Sequence, residues 1–326
     1  MLLHRVLVGT LCWGIVAAPL AQAWARALDE GSCGGGGFGD DADVRDVNPA
    51  MQSLLEAKIR EAGYWPMVAR GRLKVALVDV TTPENPYYAG LNVDDMTYAA
   101  SLPKIAILLT AAHAVESGRI PWTPKLQRRL TNMVVASNNV DATWAADLVG
   151  LPSIERTMRD PRYCFYDDQY GGLWLGKGYR RGGPVNRDPL FHFSHGATAR
   201  QVARWYTMLE RGSLVSPAWS KRMLEMMGPP KLYHKFVGGL KRRPDRRFLA
   251  RKSGTWRQFH ADSALIEAEG RRYVAVALAE SPRGEKLLRQ LIVWLDDVVA
   301  DGSYRENLHA NVVAPETVKT PRLTLL

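Results

Sequence analysis

Strand-like runs lie at both ends of this 326-residue chain and are scarce between them. RLKVALVDV (residues 72–80) and YYAGLNV (87–93) come early; RRFLARKSGT (246–255), WRQFHADSALIEA (256–268) and RRYVAVALAES (271–281) come late. Connections of a few residues are too short for the crossover that parallel neighbours need, which favours antiparallel pairing of the last three runs. The early pair, turned by Pro83-Glu84-Asn85-Pro86, reads as a hairpin. The simplest fold uniting both ends is α/β (α+β). One antiparallel sheet is flanked by helices, a helical subdomain is inserted at about residues 100–230, and a cleft lies between the two.

The helical patterns fit that plan. PAMQSLLEAKIREAG places Met51, Leu54, Leu55 and Ile59 at helical spacing, and EKLLRQLIVWLDDVV (285–299) is amphipathic. Residues 125–148 hold two helical patterns that meet at Ser137-Asn138-Asn139, a polar triplet that must face solvent or a cavity. TARQVARWYTMLERG (198–212) and SPAWSKRMLEMM (216–227) read as two more helices, and residues 159–197 as loop. No repeat of solenoid period is present.

Outside a domain at 51–300, three segments have their own character. Residues 1–23 read as a signal peptide, with a basic start, an apolar stretch and the cleavage site Ala21-Gln22-Ala23. Residues 24–50 read as a flexible Gly/Asp-rich spacer and 301–326 as a C-terminal tail. The expected location is periplasmic or secreted. An oxidising compartment permits Cys33 and Cys164 to pair, although two free thiols fit the sequence equally well. His192 and His195 form an H-x-x-H pair in a segment without helical character, so no metal and no cofactor are expected.

The formal charge of +10 is concentrated at YRRGG (179–183) and KRRPDRR (241–247). Solvated loops explain such runs, and export argues against nucleic acid; an anionic cell envelope remains a partner such a surface could meet.

The stretch YAASLPKIAILLTAAHAVESG (98–118) carries the sharpest chemical signal. Ser-x-x-Lys alone arises about once by chance in a chain of this length. Here, however, Pro103 marks a first helical turn, which sets Ser101 at a helix start with Lys104 one turn on. A lysine is unfavourable there for the helix dipole, and an apolar buried helix has no packing use for an ammonium.

Ser101-Leu102-Pro103-Lys104, Ser137-Asn138-Asn139 and Lys252-Ser253-Gly254-Thr255 follow the order of the S-x-x-K, S-D-N and K-T-G boxes. Together with MTYAAS and ATARQVARWYTMLERGSLVSP, they resemble the class A β-lactamase and penicillin-binding-protein superfamily over residues 51–300. The resemblance implies a β-lactamase/transpeptidase-like fold and an acyl-serine mechanism. It makes Ser101 the nucleophile, Lys104 its base and Ser137 a proton relay. The N–H groups of Ser101 and Thr255 would form the oxyanion hole. Asn139 would hold the substrate's side-chain amide, and Lys252, Ser253 and Thr255 its carboxylate.

Two departures bear on turnover. Only 36 residues separate Ser101 from Ser137, with RIPWTPKLQ in place of a longer excursion. Class A enzymes also carry an omega-loop glutamate four residues before an asparagine. Aligning GGPVN with that loop keeps Asn186 but puts Gly182 at the glutamate position, and no glutamate occurs between Glu155 and Glu210. Asp167, Asp168, Asp188, His195 and His260 are the remaining candidates for a base, with Asn186 and His260 as loop contributors to the site.

The sequence thus leads to an exported monomeric serine hydrolase acting on a β-lactam or a D-alanyl peptide, with release slower than acylation. A D-Ala peptidase is the neighbouring alternative. A non-catalytic envelope-binding module that keeps the fold is the alternative of a different kind.

Overall fold

The computed structural model of the chain describes residue 44 and residues 46–305. The proposed leader, most of the spacer and tail, and Cys33 lie outside the described residues. Helix α1 (Pro49–Glu61) and the short α2 (Trp65–Ala69) precede strands β1 (Leu73–Asp79), β2 (Tyr87–Leu91) and β3 (Thr97–Tyr98). Four helices follow: α3 (Lys104–Glu116), α4 (Pro124–Val135), α5 (Asn139–Val149) and α6 (Leu151–Met158). Short strands β4 (Tyr166–Asp167), β5 (Gly171–Gly172), β6 (Trp174–Leu175) and β7 (His195–Ala197) lead into α7 (Ala199–Glu210), α8 (Pro217–Met227) and α9 (Lys235–Leu240). Strands β8 (Arg246–Trp256), β9 (Phe259–Ala268) and β10 (Arg271–Glu280) and helix α10 (Gly284–Asp301) complete the domain.

The main sheet has the order β2-β1-β10-β9-β8, antiparallel throughout. The two ends of the chain meet where β1 pairs with β10, Leu73 opposite Ala279 and Asp79 opposite Tyr273. Each face of the sheet covers its own core, as alternation of side chains along a strand requires. Leu55 and Ile59 of α1 and Leu288, Leu291 and Leu295 of α10 pack with Val75 and Leu77 on one face. Ala76 and Val78 face the helical subdomain, with α3 at its centre.

Helix α3 is apolar on every side because it is enclosed on every side; Ile105 to Leu109 are all 0% exposed. Each such leucine or isoleucine contributes on the order of 1.5–3 kcal/mol. Local caps define the helices around it. Thr123, Thr198 and Ser216 accept the N–H three residues on at the starts of α4, α7 and α8. Asn138 does the same for α5, its Oδ1 accepting from Asp141 N at 2.9 Å. That cap holds the polar triplet between α4 and α5 in place.

The segment 159–197, read as loop, contains the four short strands. β7 pairs with both β3 and β6 and ties the segment to the chain just before Ser101. Past α10, Tyr304 and Arg305 both reach the buried carboxylate of Asp79. Among the described residues, no helix is long and apolar enough to cross a membrane.

Candidate active site

Ser101 lies on a tight turn that leads into α3, with Leu102 N donating to Ala99 O at 3.1 Å and Lys104 N to Ser101 O at 3.4 Å. Ala100 just before it has φ 53°, and Ser137 between α4 and α5 has φ 54°. A left-handed backbone costs a residue with a Cβ on the order of 1 kcal/mol. Strain at Ala100 and at Ser137 marks two turns held by their surroundings.

Those turns converge on Lys104. Its side chain is fully buried, and Nζ lies 2.6 Å from Ser137 O, 2.7 Å from Asn139 Oδ1, 3.2 Å from Ser101 Oγ and 3.3 Å from Ser137 Oγ. The two carbonyl oxygens can only accept. A neutral amine has two N–H donors and one lone pair, so satisfying both carbonyls turns the lone pair toward the two hydroxyls. Burial pushes the Lys104 ammonium down to about 7, so the neutral amine is well populated near neutral pH. The Tyr179 ring covers the ammonium at 4.3 Å, and its hydroxyl donates to Ala100 O at 3.2 Å.

Lys252 reaches the same serine from the sheet, donating to Ser137 Oγ at 2.9 Å and to Ser253 O at 2.7 Å. Its pKa falls well below the ordinary lysine value, through burial first and then repulsion from Lys104, Arg251 and Lys235. Alternation along β8 sends Lys252 and Gly254 toward α3, and Arg251 to the other face. A Cβ on Gly254 would overlap Ala99 O and crowd Ser101 N. Glycine is therefore what lets the edge strand lie against the Ser101 turn.

The opposite face of β8 holds residues that sequence reasoning did not single out. Lys235 is completely buried and donates to Gly254 O (2.5 Å), Thr255 Oγ1 (2.8 Å) and Ala261 O (3.0 Å). Burial lowers its pKa to about 8. Beside it Arg251 and Asp262 form a buried ion pair at 2.7 Å, and Asp262 also receives Phe236 N at 3.1 Å. Neither lysine nor arginine spacing in the sequence signals this network; it arises where α9 meets β8 and β9.

A cleft of about 410 Å³ opens above Ser101. Ala100, Ser101, Asn139 and Thr255 line it together with Tyr98, Trp256, His195 and the loop residues Lys177 to Arg181. Ser253 is buried within β8 and is absent from that lining. Of the candidate bases and loop contributors, all but His195 lie elsewhere. Asn186 pins its loop, its carboxamide donating to Glu155 at 2.7 Å and its carbonyl receiving Trp174 Nε1 at 2.8 Å. Asp188 is fully buried and accepts from Phe191 N (2.9 Å) and Phe193 N (2.5 Å). Asp167 caps a turn through Gln169 N, and Asp168 pairs with Arg159. His260 packs against Gly284 beside α10. His195 alone of that group lines the cleft; burial lowers it to about 4, which leaves a neutral imidazole of low basicity.

Among the described residues, no three His, Cys, Asp or Glu side chains come together to hold a metal. Cys164 is disulfide-bonded, while its proposed partner Cys33 falls outside the described residues.

Residues 121–295, more than half of the chain, match the model of the beta-lactamase enzyme family. The chain belongs to that family. Its fold agrees. PBP-A superposes with a TM-score of 0.58 at 17% identity, covering 76% of this chain and 96% of its own. A PBP-A mutant solved as an acyl-enzyme complex with penicillin G gives 0.56 at 18%, covering 76% and 97%. A beta-lactamase from Sphaerobacter thermophilus gives 0.59 at 15%, covering 77% and 96%. No match is found among curated proteins. This family member is a serine hydrolase of the β-lactamase/penicillin-binding type. The matched stretch begins after Ser101 and Lys104, so those two positions rest on the geometry above.

Proposed function

We propose that the protein acylates Ser101 with β-lactams or D-alanyl-peptide-like amides and releases the product slowly. The four contacts of Lys104 carry this reading, because they point the lone pair of a near-neutral amine at the Ser101 hydroxyl. Ser101 Oγ attacks the amide carbonyl as its proton passes to Lys104 Nζ. Negative charge on the carbonyl oxygen is met by the N–H groups of Ser101 and Thr255. Ser137, bonded to both lysines, returns a proton to the departing nitrogen as the C–N bond breaks. Asn139 uses its Oδ1 on Lys104 and keeps its NH₂ for a substrate carbonyl. Thr255, steadied by Lys235, meets the substrate carboxylate with Lys252 and Ser253 behind it.

Release requires a water and a base. Among the described residues, no carboxylate lines the cleft. The Tyr179 hydroxyl, its pKa raised well above the ordinary value by burial, stays protonated. His195 is too weak a base to activate water strongly near neutral pH, where a matched pKa serves best. The penicillin G acyl-enzyme seen in a PBP-A mutant of similar fold supports the same chemistry here. The leader sequence supports export to the periplasm or beyond.

Labelling with a fluorescent penicillin tests the reading. Wild type should retain the label through denaturing electrophoresis, and Ser101→Ala should not. Failure of wild type to label with penicillins, together with no cleavage of D-alanyl peptides, contradicts it.

A further inference from the structure

The wall of the cleft that carries the loop between β6 and β7 is cationic. Lys177, Arg180 and Arg181 all line it, and no aspartate or glutamate does. Arg180 is paired with Asp147. Lys177 and Arg181 have no carboxylate partner among the described residues. Beneath the floor, Lys104 lies close enough to Lys252 to depress its charge, and the nearby Asp262 is already committed to Arg251. The charge of Lys177 also reaches into the cleft as far as His195. A substrate carboxylate bound at Thr255 answers the cations on the β8 side alone.

We propose that Lys177 and Arg181 form a second anion subsite, so that the preferred substrate is an amide with a carboxylate on its acyl side as well as on its leaving group. This rests on the acylation proposed above. The turn bearing Ser101 is flanked by both walls: Gly254 of β8 packs on the backbone of Ala99 to Leu102, and Tyr179 of the loop bonds Ala100 O. A bound amide spanning Ser101 therefore has its two ends against the two cationic walls. The chemical class is an acidic peptide, or a β-lactam whose side chain is itself acidic.

The test compares α-carboxybenzylpenicillin with benzylpenicillin, which differ by one carboxylate on the acyl side. At low ionic strength, wild type should be acylated roughly five- to tenfold faster by the carboxylated compound, as two partly exposed ion pairs allow. Raising the salt to about 0.5 M should erode that ratio, since exposed pairs are screened over a few ångströms at such strength. The double variant Lys177→Gln/Arg181→Gln should bring the ratio to about one. A wild-type ratio at or below one, or a ratio unchanged by salt and by the double variant, overturns the second subsite while leaving the acylation reading intact. Acylation by neither compound overturns that reading, and the subsite with it.

Discussion

Lys104 and Lys252 share one acceptor, the Ser137 hydroxyl, at 3.3 and 2.9 Å. Two full ammonium charges at that separation, cut off from water, repel strongly. That repulsion helps hold the Lys252 pKa down, while burial lowers Lys104, whose remaining partners, Ser137 O and Asn139 Oδ1, suit a neutral amine. Burial under the Ser137 turn thus readies a base on the helix.

Acylation should rise with pH. The proposed active form is neutral Lys104, with a pKa of about 7, so the rate climbs through that value and levels above it. Stopped-flow acylation from pH 5.5 to 9 measures the midpoint. Lys104→Arg, which cannot lose its proton, should slow acylation by about 10²–10⁴-fold and remove the rising limb.

Folding stability should also increase with pH above neutrality. Lys104 and Lys235 have folded pKa values of about 7 and 8, and Lys252 is lowered too. Unfolded lysines hold their protons until near pH 10. Between the two ranges the unfolded chain binds more protons, so raising the pH favours the folded chain. Thermal melts should show Tm climbing by roughly 2–6 °C from pH 7.5 to 9. A flat or falling Tm over that window contradicts the burial of these ammonium groups.

Gly254→Ala should damage site and fold together. The added methyl overlaps Ala99 O, backbone that cannot swing aside, so β8 must retreat from the Ser101 turn. A loss of about 1–3 kcal/mol is expected in denaturant titration. Acylation should fall by about 10²-fold for a displacement near 1 Å.

Asp262→Ala leaves Arg251 buried without its carboxylate and frees Phe236 N. Removing one partner of a buried pair costs about 3–5 kcal/mol, which a fall in Tm measures. Arg247→Gln, whose exposed pair with Glu267 lies further along the same strand, should cost under about 1 kcal/mol.

Local pattern and chemistry were readable where one segment carries the whole signal. The meander 246–280 declares itself through short connections, and α3 through an unbroken apolar run with a misplaced lysine. The three boxes announce Ser101, Lys104, Ser137 and Lys252, and the structure gathers these side chains at one point. What the sequence hid depends on contacts between distant segments. Tyr179 stands in a basic loop and shows its role only when that loop folds over Lys104. Lys235 carries no signal in the sequence, yet α9 buries it against Thr255. Asn139 reads as a substrate contact, and its Oδ1 also accepts from Lys104. Asn138, between Ser137 and Asn139, serves α5 as a cap. Helix α6 is a single amphipathic stretch of eight residues, too short to stand out beside α5.

Intact-mass spectrometry during exposure to benzylpenicillin tests the central claim most directly. Wild type should gain the mass of one penicillin within the mixing time and keep it for many turnovers' worth of free drug, while Ser101→Ala gains nothing. An unmodified wild-type mass, with penicillin intact in solution, would contradict acylation at Ser101. An unmodified mass with penicillin rapidly hydrolysed would contradict slow release.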